Sequence, residues 1–360
     1  MALGADGLER LARLYRVPGC VVATLVAGEP SSTAFAGVAD AGSNEAVDAS
    51  TTFEVASVSK VVSAWTALAL VADGHLELDE PVAPHLHRWT PPWSRSDADR
   101  ITLRALLSHT AGLPSGAAPP RPTISEVPDI VDVVAGADST PAAVPVVPPQ
   151  TQFRYSNPGY ALIQLLIEDV TSESFERWAQ HRIIEPLGMR NTTYQRTLAA
   201  HHAAPHRRTG RRLADGFYNQ QAAGGLHTTA TDLLALARAM TTAHPQGPGG
   251  GVLPAALVEE SWRTPPAALG AYRLRSGGYS LGLISTVLPS GARLVANLGS
   301  RVGWRAFFAC APERGDALAI TTNSNTGSLL LAHVALRWLA LVNGSYRSLR
   351  RVIRVRKAAN

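Results

Sequence analysis

The chain has 360 residues, of which 46% are hydrophobic and 17% charged, with a formal net charge of +5. That balance argues against disorder over most of the length and fits a globular protein with one large core and an inserted lobe, or about two domains. Two cysteines exclude a disulfide framework. Cys20 and Cys310 both sit in apolar runs and read as buried thiols, with a single bridge between neighbouring strands left open. The positive charge gathers in His206–Arg212 and Arg347–Lys357. A basic surface loop and a basic tail account for it without a nucleic-acid or membrane partner.

Taken in chain order, the N-terminal stretch carries an early acidic residue and no long apolar core, so it does not read as a secretory signal and a cytoplasmic protein is expected. Leu8, Leu11 and Leu14 give Gly7–Tyr15 helical spacing. Val17-Pro18-Gly19 breaks it, and Cys20–Val26 reads as a strand with Thr33–Val38 as its hairpin partner. Thr51–Glu54 leads into a helix over about Val58–Gly74. Thr102–Ser108 predicts a short helix, and 113–150 a proline-rich loop with a helical turn at Ile130–Val134. Pro158–Arg182 predicts one amphipathic helix, and Thr231–Thr242 another, capped by Thr229 or Thr231. From 270 onward strands dominate: Tyr279–Leu288, Arg293–Leu298, Trp304–Ala311 and Ala317–Thr322. Leu329–Val342 closes the chain as a helix too short and too polar to span a bilayer. Strands at both ends and helices between them predict an α+β fold: one antiparallel sheet built from both termini, flanked by helices, with an inserted mainly helical lobe. The expected division is 1–85 with 228–345 as the sheet domain, 86–227 as the lobe, and 346–360 as a basic tail.

Three short segments hold residues suited to acyl chemistry. In Glu54-Val55-Ala56-Ser57-Val58-Ser59-Lys60, the lysine follows the serine by one helical turn, so the two side chains share a face. Apolar flanks would desolvate Lys60 and lower its pKa, which a base for the Ser57 hydroxyl requires. The bland alternative is a serine and a surface lysine on an ordinary helix. In Arg154-Tyr155-Ser156-Asn157, Tyr155 is suited to relaying a proton and Asn157 to binding the lysine or a substrate carbonyl. Alone, this segment reads equally as a polar turn before a helix. In Asn297-Leu298-Gly299-Ser300, at a predicted strand end, Gly299 permits close approach, and the Ser300 N–H could pair with that of Ser57 as an oxyanion hole.

These three segments, in this order, resemble the serine β-lactamase and penicillin-binding-protein superfamily, above all class C β-lactamases and related esterases and transesterases. Ile101–Pro114, Glu185–Met189 and Ala223–Leu226 with Thr231-Asp232 are similar to the family's framework stretches, and the resemblance covers about residues 15–345. It implies Ser57 as the acylated nucleophile, Lys60 as its base, Tyr155 as the group activating Ser57 or the acceptor, and Asn157, Asn297 and Gly299 around the substrate. The third segment departs from the pattern: where relatives carry Lys or His, then a small or hydroxylated residue, this chain has Asn297 and Leu298. The resemblance therefore implies ester, thioester or amide chemistry ahead of β-lactam hydrolysis or D-amino-acid peptidase activity. The expected partners are a small acyl substrate and an acyl acceptor, with no cofactor and no metal. A catalytically weak binding protein on the same fold is the alternative from another class.

Two further groups of residues are set aside. Gly278-Tyr279-Ser280-Leu281-Gly282 fits the serine elbow of α/β-hydrolases, but a strand and turn follow it where a helix is needed, so Ser280 reads as a strand residue. His201, His202 and His206 lack a carboxylate or cysteine at ligand spacing and read as structural or solvated. His109 reads as a packing or hydrogen-bonding residue.

Overall fold

The computed structural model describes residues 4–137, 139–195, 201–242 and 244–344, so the basic run Arg347–Lys357 lies outside them. The helices are α1 (Ala5–Tyr15), α2 (Ser59–Ala72), α3 (Arg95–Ala98), α4 (Leu103–Leu107), α5 (Ile130–Ala135), α6 (Asn157–Thr171), α7 (Phe175–Ala179), α8 (Gln221–Gly224), α9 (Ala230–Met240), α10 (Ala255–Ser261) and α11 (Gly327–Asn343). The strands are β1 (Gly19–Val26), β2 (Glu29–Asp40), β3 (Glu45–Ala46), β4 (Phe53–Glu54), β5 (His227–Thr228), β6 (Gly277–Tyr279), β7 (Ile284–Val287), β8 (Arg293–Arg301), β9 (Trp304–Ala311) and β10 (Asp316–Thr322).

Eight strands form one antiparallel sheet in the order β3-β2-β1-β10-β9-β8-β7-β6, so β1 from the N-terminal part pairs with β10 from the C-terminal part. The sheet is apolar on both faces because its central strands carry no polar alternation. Along β1, Cys20 and Val22 join the core under α1 and α11, while Val21, Ala23 and Leu25 join the larger core shared with α2, α4, α6 and α9. In β9 the same alternation sends Phe307 and Ala309 one way and Phe308 and Cys310 the other. Cys20 and Cys310 therefore point to opposite faces of the sheet. Both are free and buried, which closes the option of a bridge between them. Burial also pushes each thiol up to about 12.

Helix α2 runs between the sheet and the helices that follow it, and every residue from Ser59 to Leu70 is buried. A helix apolar all round belongs in such a position. Trp65 is fully buried at its centre.

Two predicted elements are each broken in two. The helix expected over Pro158–Arg182 ends at Ser172, which adopts the left-handed conformation (φ 56°). The Thr171 hydroxyl donates to the Ile167 carbonyl at 2.7 Å and accepts from the Glu173 N–H at 3.2 Å, so local side-chain bonding terminates the helix before α7 begins. The strand expected over Tyr279–Leu288 is the hairpin β6–β7, in which Tyr279 pairs with Ile284. Ser280 is a turn residue, not a strand residue: its N–H and hydroxyl both donate to the Leu283 carbonyl, at 2.7 and 3.1 Å. No helix follows it, so the elbow reading still fails. Gly282 in this turn has φ +81°, and a Cβ there would lie 2.7 Å from the Lys60 carbonyl, so the turn packs directly on the first turn of α2.

The basic stretch 206–212 forms a small turn in which His206 and Arg212 pair. His206 is buried; its ring accepts from the Ala41 N–H at 3.2 Å, and Arg212 reaches Asp40 at 3.0 Å. These are structural roles.

Candidate active site

The segment that carries Ser57 is pinned before α2 starts. β4 pairs with β5, and the Val55 N–H donates to the Leu226 carbonyl at 3.1 Å. Ala56 then takes a positive φ of 46°, and Ala56–Val58 form one 3-10 turn leading into α2. Ser57 thus sits two residues before the first residue of the α-helix proper, half-buried, on a strained turn of the kind that recurs at functional sites.

Lys60 is fully buried. Its Nζ lies 2.9 Å from Asn157 Oδ1, 2.6 Å from the Ala223 carbonyl and 3.3 Å from Ser57 Oγ. Desolvation lowers its pKa from 10.5 to about 7. A neutral amine has two N–H groups and one lone pair. The two shorter contacts, both to pure acceptors, consume the N–H groups and leave the lone pair facing the Ser57 hydroxyl.

Tyr155 completes the triad, with Oη 2.8 Å from Ser57 Oγ. Burial pushes its phenol up to about 12, so it stays protonated and donates to Ser57. Ser156 caps α6 by accepting from the Gly159 N–H at 3.0 Å, and this sets Asn157 as the first helical residue, facing Lys60.

His109 braces this segment from below. It has φ 58°, so its carbonyl and ring turn toward the same stretch of chain. The carbonyl accepts from the Arg154 N–H at 2.8 Å and Nδ1 accepts from the Ser156 N–H at 3.1 Å. Its ring lies 4.2 Å from that of Tyr155. Burial and the nearby Lys60 hold His109 well below its ordinary pKa, so it is neutral, and the Ser156 N–H occupies the Nδ1 lone pair.

Gly299 and Ser300 are not at a strand end. β8 continues to Arg301, and Gly299 pairs with Ala306. A Cβ on Gly299 would lie 2.0 Å from the Val55 carbonyl. Glycine is therefore what lets β8 pass against the Ser57 turn and brings Ser300 into the cavity that holds Ser57. That cavity measures about 260 Å³, and Ser57, Asn157, Ser300 and Arg301 line it.

Asn297 departs from the role that resemblance implied. It is buried, its Nδ2 donates to the Gly282 carbonyl at 2.8 Å, and its Oδ1 accepts from the Leu298 N–H at 2.8 Å. It ties β8 to the hairpin turn and does not line the cavity. Leu298 points to the opposite side of the strand and is exposed. Asn297→Ala strands the Gly282 carbonyl, and we expect a loss of about 1–3 kcal/mol in urea unfolding. An unchanged unfolding midpoint would contradict this tie.

Sequence reasoning missed the Ala223 carbonyl as the second acceptor for Lys60, because a backbone group leaves no residue-type signal. It also missed the cluster of Glu54, Tyr218 and Arg301. The Tyr218 hydroxyl lies 2.9 Å from Glu54 Oε1, the Arg301 guanidinium stacks 3.4 Å over the Tyr218 ring, and Arg301 Nη1 donates to Glu54 at 3.0 Å.

A serine with a desolvated lysine and a phenol at hydrogen-bond distance, under a large antiparallel sheet, defines the class of β-lactamase-fold serine hydrolases. A family model described as Beta-lactamase matches residues 7–341, and the chain belongs to that family. It is 29% identical over 194 residues to penicillin-binding protein 4 of Amycolatopsis lactamdurans, covering 51% of this chain and 46% of that one. It is similar to the crystal structure of SurE, with 27% identity, a TM-score of 0.76, and coverage of 95% of this chain and 76% of that one. A class C β-lactamase from Rhodobacter sphaeroides shares the fold at 20% identity and a TM-score of 0.69, covering 92% of this chain and 99% of that one. The matches span 35–46% of the curated relatives' own lengths, as for Protein flp of Staphylococcus aureus and penicillin-binding protein 4. Among the described residues, no helix is long and apolar enough to cross a membrane.

Proposed function

We propose that this chain is a serine hydrolase or transacylase that opens an ester, thioester or amide through an acyl-Ser57 intermediate. The observation that supports this most is that Lys60 Nζ lies 3.3 Å from Ser57 Oγ while Asn157 Oδ1 and the Ala223 carbonyl hold it at 2.9 and 2.6 Å, an arrangement that leaves a neutral amine's lone pair for Ser57. In this reading Lys60 removes the Ser57 proton as Oγ attacks the carbonyl carbon. The N–H groups of Ser57 and Ser300 receive the developing oxyanion. Tyr155 gives its proton to the leaving atom as the bond to it breaks, and the Lys60 ammonium supplies the proton that restores the phenol. Water or another acceptor then loses a proton to the same pair as it attacks the acyl carbon, and the pair returns that proton to Ser57 Oγ as the acyl–Oγ bond breaks.

The cavity does not favour β-lactam binding through a third-motif cation, because Asn297 occupies that place and is turned inward. The binding-protein alternative predicts no covalent chemistry. Intact-protein mass spectrometry after exposure to a fluorophosphonate and a panel of aryl esters, thioesters and β-lactams separates the readings. The expected result is a single adduct on the wild type and none on Ser57→Ala. A wild type left unlabelled by every member of the panel would overturn the proposal.

A further inference from the structure

The cavity that opens on Ser57 is walled mainly by small neutral residues, and among the described residues Arg301 is the one charged residue lining it. A lone charge in such a wall needs a reason. Arg301 is held from two sides: its guanidinium lies flat on the Tyr218 ring at 3.4 Å, and Nη1 is paired with Glu54, whose side chain is 4% exposed. Among the described residues, Glu54 is the sole acceptor its side chain bonds, so the guanidinium of this 22% exposed side chain keeps further N–H donors for a ligand. A planar fork fixed in orientation, with donors to spare, matches a carboxylate better than any neutral group.

The position also says which half of a substrate carries that carboxylate. Tyr155, the proton donor to the leaving group, packs with Phe153, Tyr279 and Ile284 and does not line this cavity. The leaving group therefore departs on the Tyr155 side, and the acyl group occupies the cavity with Arg301. Arg301 also borders a second cavity of about 330 Å³ whose lining includes Glu54 and Asp215, so a terminal carboxylate is expected to stop at Arg301 and not to pass beyond it.

We infer that Arg301 selects acyl groups bearing a carboxylate at their far end, so that the natural substrate is an ester, thioester or amide of a dicarboxylic acid. This rests on the acyl-serine reading above. The test compares 4-nitrophenyl half-esters of adipic and suberic acid with 4-nitrophenyl hexanoate and octanoate, after subtraction of the rate with Ser57→Ala. For the wild type, kcat/KM should favour the charged ester over its neutral partner by about tenfold or more, as expected for hydrogen bonds to a charged group. Arg301→Gln should bring that ratio close to one. Arg301→Gln leaves Glu54 buried without its cation, so the double variant Glu54→Gln/Arg301→Gln is measured beside it; a loss of packing alone would slow both esters and leave the ratio intact. A wild-type ratio near one, or a ratio unchanged in the folded variants, overturns the assignment of Arg301 alone. Absence of acylation by every ester overturns the acyl-serine reading and this inference with it.

Discussion

Replacing Lys60 with methionine is expected to slow acylation of Ser57 by about 10²–10⁴-fold, the range a positioned general base supplies. Methionine fills the fully buried space of the lysine stem, so the fold should survive. The Asn157 and Ala223 oxygens lose their donor, at a cost of about 1–3 kcal/mol, within the reach of an ordinary domain's stability. Single-turnover kinetics with a neutral aryl ester, together with circular dichroism, check both halves. Near-normal acylation in a folded variant would remove Lys60 from the mechanism.

The pH dependence follows from the same burial. Only the unprotonated amine accepts a proton, and Lys60 has been lowered to about 7. Wild-type acylation should therefore rise about tenfold per unit on the acid side and level off above about pH 7, and the residual rate of Lys60→Met should lack that step. The stability contribution has a fixed sign as well. The unfolded lysine, near 10.5, binds a proton that the folded one releases at about 7. Between those values the unfolded state holds more protons, so this group's contribution to stability rises with pH across that window and is least favourable below it.

Gly299→Ala should be the most damaging small change on the sheet side of the site. The added methyl would lie 2.0 Å from the Val55 carbonyl, a backbone atom that cannot swing aside. Relief requires β8 to withdraw from the Ser57 turn, and the Ser300 N–H withdraws with it. Loss of one such donor costs about 10²–10³-fold in rate. We expect a drop of that order in acylation, together with a lower unfolding midpoint. Retention of wild-type acylation by Gly299→Ala would mean that Ser300 contributes no hydrogen bond to the reaction.

The strands at the two chain ends were legible because β-branched and small apolar residues run without polar breaks, and β9 lies where its sequence pattern predicts it. The β6–β7 hairpin was not, since Leu281 and Leu283 carry strand-like residues through a turn set by a positive φ at Gly282 and by contact with α2. The break at Ser172 was hidden for a similar reason: side-chain bonding by Thr171 overrides helical spacing that continues into α7. Within the site, Ser57 and Lys60 were legible because a single helical turn fixes their separation. Tyr155 lies 98 positions from Ser57, and only the order of motifs linked them. The inward turn of Asn297 depends on the Gly282 carbonyl, which no local pattern around residue 297 discloses. The place of Arg301 was not legible, since its stacking on Tyr218 and its pairing with Glu54 join three distant segments.

The chain contains only two lysines, Lys60 and Lys357, so the critical titration is unusually open to direct observation. Carbon-13 NMR of protein labelled at the lysine ε-carbon gives two signals, and the one absent from Lys60→Met belongs to Lys60. A titration midpoint near 7 for that signal is the expected result. A midpoint near 10.5, the ordinary value for a solvated ammonium, would show that Lys60 is charged at neutral pH and has no lone pair to offer Ser57.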